Sequence, residues 1–133
     1  MMVSDPLVHE VTVYYEDTDL TGSVYHANYL KYFERAREQA LGVDALVQLY
    51  RREGIGFVVY KAELTYKKGA VFGDTIEIRT TADRASDFRL TFQQNVHRPR
   101  ENGALLVEGR VEMVCVDRDG KLVPIPASVR DRL

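Results

Sequence analysis

Asp17, Asp19, Gly22 and His26 fall within a few residues of what reads as a helix start, in Y-Y-E-D-T-D-L-T-G-S-V-Y-H-A-N-Y-L-K-Y-F-E-R-A-R. A carboxylate beside a helix N-terminus can serve a hydrolase. The acid supplies a nucleophile or general base, and free backbone N–H groups stabilise an oxygen that becomes negative. D-T-D-L-T-G also opens like a calcium loop, with ligands at alternate positions and a glycine sixth. Its twelfth position, however, is Asn28 where a bidentate glutamate is needed, and the preceding HEVTVYY alternates like a strand rather than a helix. The plainer alternative is that both aspartates make Asx turns in a surface loop and that His26 packs or caps. Their coincidence before an amphipathic helix is what favours chemistry.

The helix that would position them is legible in its period. Tyr29, Tyr32, Phe33, Ala36 and Ala40 recur at three- and four-residue spacing, Leu30 and Leu41 widen the stripe, and Lys31, Glu34, Arg35 and Glu38 fall opposite. Asn28 is expected to cap the first turn. Arg37 lies on the apolar arc and reads as a snorkelling stem, with a buried ion pair as the alternative. GVDALVQLYRREGIG predicts a shorter second helix, with Val43, Leu46, Val47, Leu49 and Tyr50 as its apolar face, Asp44 at its start and Gly54 after its end.

The period then changes to two. In FVVYKAELTY, Val58, Tyr60, Ala62, Leu64 and Tyr66 share one face, with Lys61, Glu63 and Thr65 on the other. The alternation returns in Ile76, Ile78, Thr80 and Ala82, then in Phe88, Leu90, Phe92 and Val96, then in Leu105, Val107, Val111, Met113 and Cys115. Turn-forming stretches at Gly73-Asp74, DRASD, Pro99 to Gly103 and Asp117 to Gly120 separate these runs, and such short links favour antiparallel neighbours. Strand, long helix, short helix and then long strands predict an α+β fold, a curved antiparallel sheet wrapped around the long helix. The run from Leu105 to Val116 is expected to leave a free edge and an apolar second face that a second copy would cover.

The length of 133 residues suits one domain, 1–133. A net charge of −2, with both signs spread along the chain, lacks the one-sided basic footprint of a nucleic-acid binder. Cys115 is a lone cysteine in the apolar run MVCV, which reads as a small buried hydrophobe and fits a cytoplasmic setting. MMVSDPLVHE has neither the basic start nor the apolar run of a signal peptide, and no segment is apolar over the length of a membrane span.

Y-Y-E-D-T-D-x-x-G-x-V-Y-H-A-N-Y-L-x-Y-x-E-R-A-R resembles the signature of the hot-dog-fold acyl-CoA thioesterases, of the 4-hydroxybenzoyl-CoA thioesterase type and its Tol-Pal-associated YbgC-like branch. The resemblance continues more weakly through FVVYKAELTY and VEMVCVDRDGKLVPIP. It implies a hot-dog fold, dimers that pair sheets edge to edge, and often tetramers. It also implies that Asp19 is the catalytic carboxylate and that the backbone N–H polarising the thioester carbonyl is that of His26. Gly22 is expected to let the backbone turn close to the substrate, with an ordinary turn as the alternative, and Val24, Tyr25, Val58 and Val59 are expected to line it, the three valines forming an apolar acyl pocket with the helix. Arg84 and Ser86, or instead Lys67 and Lys68, lie near the coenzyme A phosphates.

Coenzyme A is part of the substrate in this reading, and neither a separate cofactor nor a metal is implied. Acyl carrier protein is an alternative carrier of the acyl group. A hot-dog dehydratase would carry D-x-N-P-x-H, from which Asp19 and His26 depart in spacing and in lacking that Asn and Pro. A non-catalytic acyl-binding or scaffolding module is the remaining alternative.

Overall fold

The alternating segments form strands β1 (Met2–Thr12), β2 (Gly56–Tyr66), β3 (Thr75–Arg84), β4 (Arg89–Arg98), β5 (Ala104–Val116) and the short β6 (Leu122–Val123). They are seen in a computed structural model that describes residues 2–132. The strands make one antiparallel sheet in the order β1-β3-β4-β5-β2, with β6 pairing the end of β5. The helical segments become α1 (Asn28–Leu41) and α2 (Val43–Glu53), and a final turn forms α3 (Ala127–Arg130). This is the expected α+β arrangement, a sheet around a central helix. No helix among the described residues is long and apolar enough to cross a membrane.

The core lies between α1 and the inner face of the sheet. Tyr29, Tyr32, Phe33 and Ala36 of α1 are buried there with Ile76, Ile78, Leu90, Phe92, Val107 and Val111. Gly109 is the point of closest approach: a Cβ built there would collide with the Phe33 ring and lie 2.9 Å from the Gln94 carbonyl oxygen. The missing side chain therefore lets the helix press its phenylalanine into the middle of the sheet.

Several expectations change at this level. Leu30 is exposed, so the buried stripe of α1 is narrower than the sequence suggested. Ala27 occupies the N-cap position, and the Asn28 side chain turns away from the first-turn N–H groups to donate to the Asp17 carbonyl at 2.9 Å. Among the described residues Arg37 neither snorkels nor pairs with a carboxylate. It is 5 % exposed, and its guanidinium donates to Gln94 Oε1 at 2.9 Å. Gln94 in turn donates from Nε2 to the Phe33 carbonyl and to Thr80 Oγ1, so a polar chain runs through the core. On α2 only Leu49 is buried, while Val43, Val47 and Tyr50 are exposed.

The β2 alternation is broken by an irregularity between Val59 and Lys61. Val59 pairs with buried Met113, and Leu64 pairs with Gly109 opposite Phe33, so both face inward. Val58 pairs with Val114, one position out of phase with Met113, and shares the outer face with Lys61 and Glu63. The face-sharing of Val58 with Leu64 is thus overturned, because the extra residue at a bulge reverses the phase of every side chain before it. The free edge also moves. Since β5 is flanked by β4 and β2, and its outer positions include Glu108, Arg110 and Glu112, the unpaired edges of the sheet belong to β1 and β2.

Candidate active site

The segment from Tyr14 to Asn28 is tied into a compact loop by its own polar groups. Tyr15–Asp17 form a turn of 3-10 helix, Asp17 Oδ2 accepts the Tyr14 N–H at 2.8 Å, and the Asp17 carbonyl accepts the Tyr25 N–H at 2.9 Å. Thr18 bridges to Val24, and a turn closes between them through the Gly22 N–H to the Asp19 carbonyl at 3.0 Å. Gly22 has φ of 83°, a left-handed conformation that glycine adopts without a Cβ clash. The Val24 N–H then donates to the Ala70 carbonyl at 2.8 Å, which docks the loop on the segment between β2 and β3.

That segment is itself anchored below the loop by Asp74. Its buried carboxylate accepts bonds from Arg98 at 2.8 Å, from Arg100 at 2.7 Å and from the Val71 N–H at 2.9 Å. Burial pushes the Asp74 carboxyl up, but the Val71 N–H and the guanidiniums of Arg100 and Arg98 outweigh it and hold it below its ordinary value. Arg98 also donates to the Gly69 carbonyl at 2.8 Å. Asp74, Arg98 and Arg100 were not singled out in the sequence, where Asp74 reads only as part of a Gly-Asp turn.

Asp19 and His26 come together in a pocket of about 250 Å³ lined also by Val24, Tyr29, Tyr66, Lys67, Lys68 and Gly69. Asp19 is exposed, and its Oδ1 accepts the Thr21 hydroxyl at 2.6 Å and the Thr21 N–H at 2.8 Å. These two bonds, the hydroxyl first, lower its pKa below the ordinary carboxylate value, with a smaller contribution from His26. Its Oδ2 accepts no hydrogen bond among the described residues, so one oxygen is held and the other is available. The His26 backbone N–H likewise has no acceptor among the described residues. Asp17 lines a different cleft, of about 540 Å³, with His9, Tyr32 and Arg35.

The remaining residues named from the sequence scatter. Gly22 shapes the loop turn, and Tyr25 is half-exposed with its ring 4.6 Å from that of His26. Val58 and Val59 sit on opposite faces of β2 and do not line the Asp19 pocket of the same chain. Arg84 ends β3, whose first residue follows the Asp74 anchor, and a ten-residue strand spans about 30 Å. Arg84 and Ser86 therefore lie toward the far end of the sheet from Asp19, with Ser86 Oγ accepting the Phe88 N–H at 3.2 Å. Lys67 and Lys68 do flank the pocket, Lys68 in an ion pair with Glu101 at 3.3 Å. In the sequence Tyr29 and Tyr66 read only as members of apolar stripes. The signal available for a polar role was that both are tyrosine where phenylalanine would have filled the same space.

A model of the thioesterase-like superfamily matches residues 13–133. The chain belongs to this superfamily. The acyl-CoA thioesterase YbgC of Haemophilus influenzae is 34 % identical over 126 residues, covering 93 % of this chain and 90 % of the relative. The acyl-CoA thioester hydrolase YbgC of Escherichia coli O6:H1 is 39 % identical over 108 residues, covering 80 % and 79 %. Among solved structures, a probable thioesterase from Bartonella henselae superposes with a TM-score of 0.82 at 28 % identity, covering 91 % of this chain and 99 % of that one. The hot-dog thioesterase resemblance carried by the loop and α1 thus extends over almost the whole chain.

Proposed function

We propose that this thioesterase-superfamily chain hydrolyses the thioester of an acyl-CoA to a free carboxylic acid and coenzyme A, using Asp19 as the reacting carboxylate and the His26 backbone N–H to polarise the carbonyl. One observation carries the reading: Asp19 and His26 open on the same pocket, each with a functional group not engaged elsewhere among the described residues. The names of the Haemophilus and Escherichia relatives support acyl-CoA as the substrate.

A thioester asks little of its enzyme, because the carbonyl is electrophilic and the thiolate leaves without strong acid help. In the nucleophilic route Asp19 Oδ2 bonds to the carbonyl carbon, the C–S bond breaks with its electron pair going to sulfur, and water cleaves the resulting anhydride. In the general-base route Asp19 takes a proton from a water that attacks the same carbon, and the C–S bond then breaks with its electron pair going to sulfur. In both the carbonyl oxygen gains negative charge, and the His26 N–H stabilises it. The lysines at the pocket, Lys67 and Lys68, suit the coenzyme A phosphates.

Val58, Val59, Arg84 and Ser86 could meet this pocket only from a second copy. The unpaired edge of β2, with Val58, Val59 and Tyr60 exposed along it, offers a way to bring one. The working unit in this proposal is a homodimer or a dimer of dimers with sites at the subunit boundary. Light scattering is expected to exceed the mass of one 15.2 kDa chain at micromolar concentration, and a monomer alone would contradict it.

The activity itself is tested by thiol release from a panel of aliphatic and aromatic acyl-CoA esters and one acyl carrier protein thioester, alongside hydration of crotonyl-CoA. Release of thiol without hydration is the expected result. Tight binding with no turnover would instead mark a binding or scaffolding module.

A further inference from the structure

Tyr66, the last residue of β2, donates its hydroxyl to the backbone carbonyl of His26 at 3.0 Å. The His26 imidazole stands edge-on to the Tyr66 ring at 6.2 Å, and the Tyr29 ring lies 5.8 Å from that of Tyr66. The bond joins the end of a strand to the residue whose N–H the proposed reaction uses, across 40 positions of sequence.

Its consequence follows from peptide planarity. The N–H of His26 lies in the Tyr25–His26 peptide, whose carbonyl accepts the Asn28 N–H at 2.8 Å. The carbonyl of His26 lies in the next plane, His26–Ala27. In a regular helix the Leu30 N–H would hold that carbonyl, but here it donates to the Ala27 carbonyl at 3.2 Å. Tyr66 is therefore the partner the His26 carbonyl has among the described residues. With one plane fixed from α1 and the other from β2, both soft dihedrals at His26 are constrained, and with them the direction of its N–H.

We propose that Tyr66 is a positioning residue for thioester hydrolysis, holding His26 so that its N–H meets the carbonyl oxygen as that oxygen becomes negative. The inference rests on the role given to His26 under the proposed function. A donor aimed before the reaction stabilises the transition state without reorganisation, and misplacement by about 1 Å can cost roughly 10²-fold in rate. Because the developing charge is larger in the transition state than in bound substrate, the loss falls on kcat rather than KM.

Tyr66→Phe removes the hydroxyl and keeps the ring against His26 and Tyr29. The measurements are kcat and KM on the best thioester of the panel, the thermal midpoint, and the backbone amide resonances of His26 and Ala27. The expected result is a kcat lower by about tenfold, KM within about twofold, a fold that melts cooperatively, and shifted His26 and Ala27 amides. A kcat within about twofold of the parent would overturn the proposal. So would a loss accounted for by unfolded protein, which would make Tyr66 structural. Absence of turnover in the parent chain on every thioester would instead overturn the function on which the proposal rests, and the proposal with it.

Discussion

Asp17 and Asp19 are separated by Thr18 alone, yet they line different cavities: Asp17 with Tyr32 and Arg35, Asp19 with His26 and Tyr66. Their hydrogen bonding divides them in the same way. Asp17 fastens the loop through its carboxylate and its carbonyl, whereas Asp19 is held at one oxygen by Thr21 and has no partner for the other among the described residues. The first aspartate is built into the loop, and the second keeps the oxygen that the proposed reaction would use.

The Thr21 bonds set a pH dependence. They favour the charged form of Asp19 and lower its pKa, so the carboxylate stays ionised through the neutral range. The acid limb of kcat/KM is expected below about pH 4, the ordinary aspartate value. Thr21→Val removes the hydroxyl donor and should move that limb upward. A pH–rate profile of both proteins checks this, and an acid limb near neutrality in the parent would assign the base to another group.

Asp74 makes a separate prediction about stability. Its folded pKa is depressed, so its contribution is present above the unfolded value near 4 and is lost as pH falls through the folded pKa. Urea unfolding from pH 7 down to pH 2 should show the parent losing stability in the acid part of this range. Asp74→Asn should be less stable at pH 7 and show a smaller acid-dependent loss. Equal slopes in the two proteins would exclude the Asp74–Arg98–Arg100 cluster as the source.

Gly109→Ala tests the packing of α1 on the sheet. The added Cβ meets the Phe33 ring on one side and the Gln94 backbone on the other, so neither neighbour yields freely. Overpacking of this kind costs about 1–3 kcal/mol. Chemical denaturation should show that loss with an unchanged m-value, and a neutral substitution would mean that α1 can lift from β5.

The helix was legible in the sequence because burial of Tyr29, Tyr32, Phe33 and Ala36 requires only a stripe facing a sheet. The loop was legible because acid, glycine and histidine crowd before that stripe. The phase of Val58 was not, since the bulge beside Tyr60 is set by how β2 meets β5 rather than by either strand alone. Nor was Arg37, whose partner Gln94 lies 57 positions away in a strand that reads as apolar. Tyr66 escaped for the same reason: its hydroxyl finds His26 only after the sheet has folded around α1. What local periodicity encodes was readable, and what long-range pairing creates was not.

The central claim is tested most directly by kcat for Asp19→Asn beside Asp17→Asn, with circular dichroism confirming both folds. Asn preserves the size of Asp19 and the acceptor for Thr21 but removes the charge that attacks or takes the proton. Turnover of the best thioester should fall by about 10²-fold or more in Asp19→Asn, with substrate still bound, while Asp17→Asn loses less. A folded Asp19→Asn protein with near-parental kcat would contradict the account.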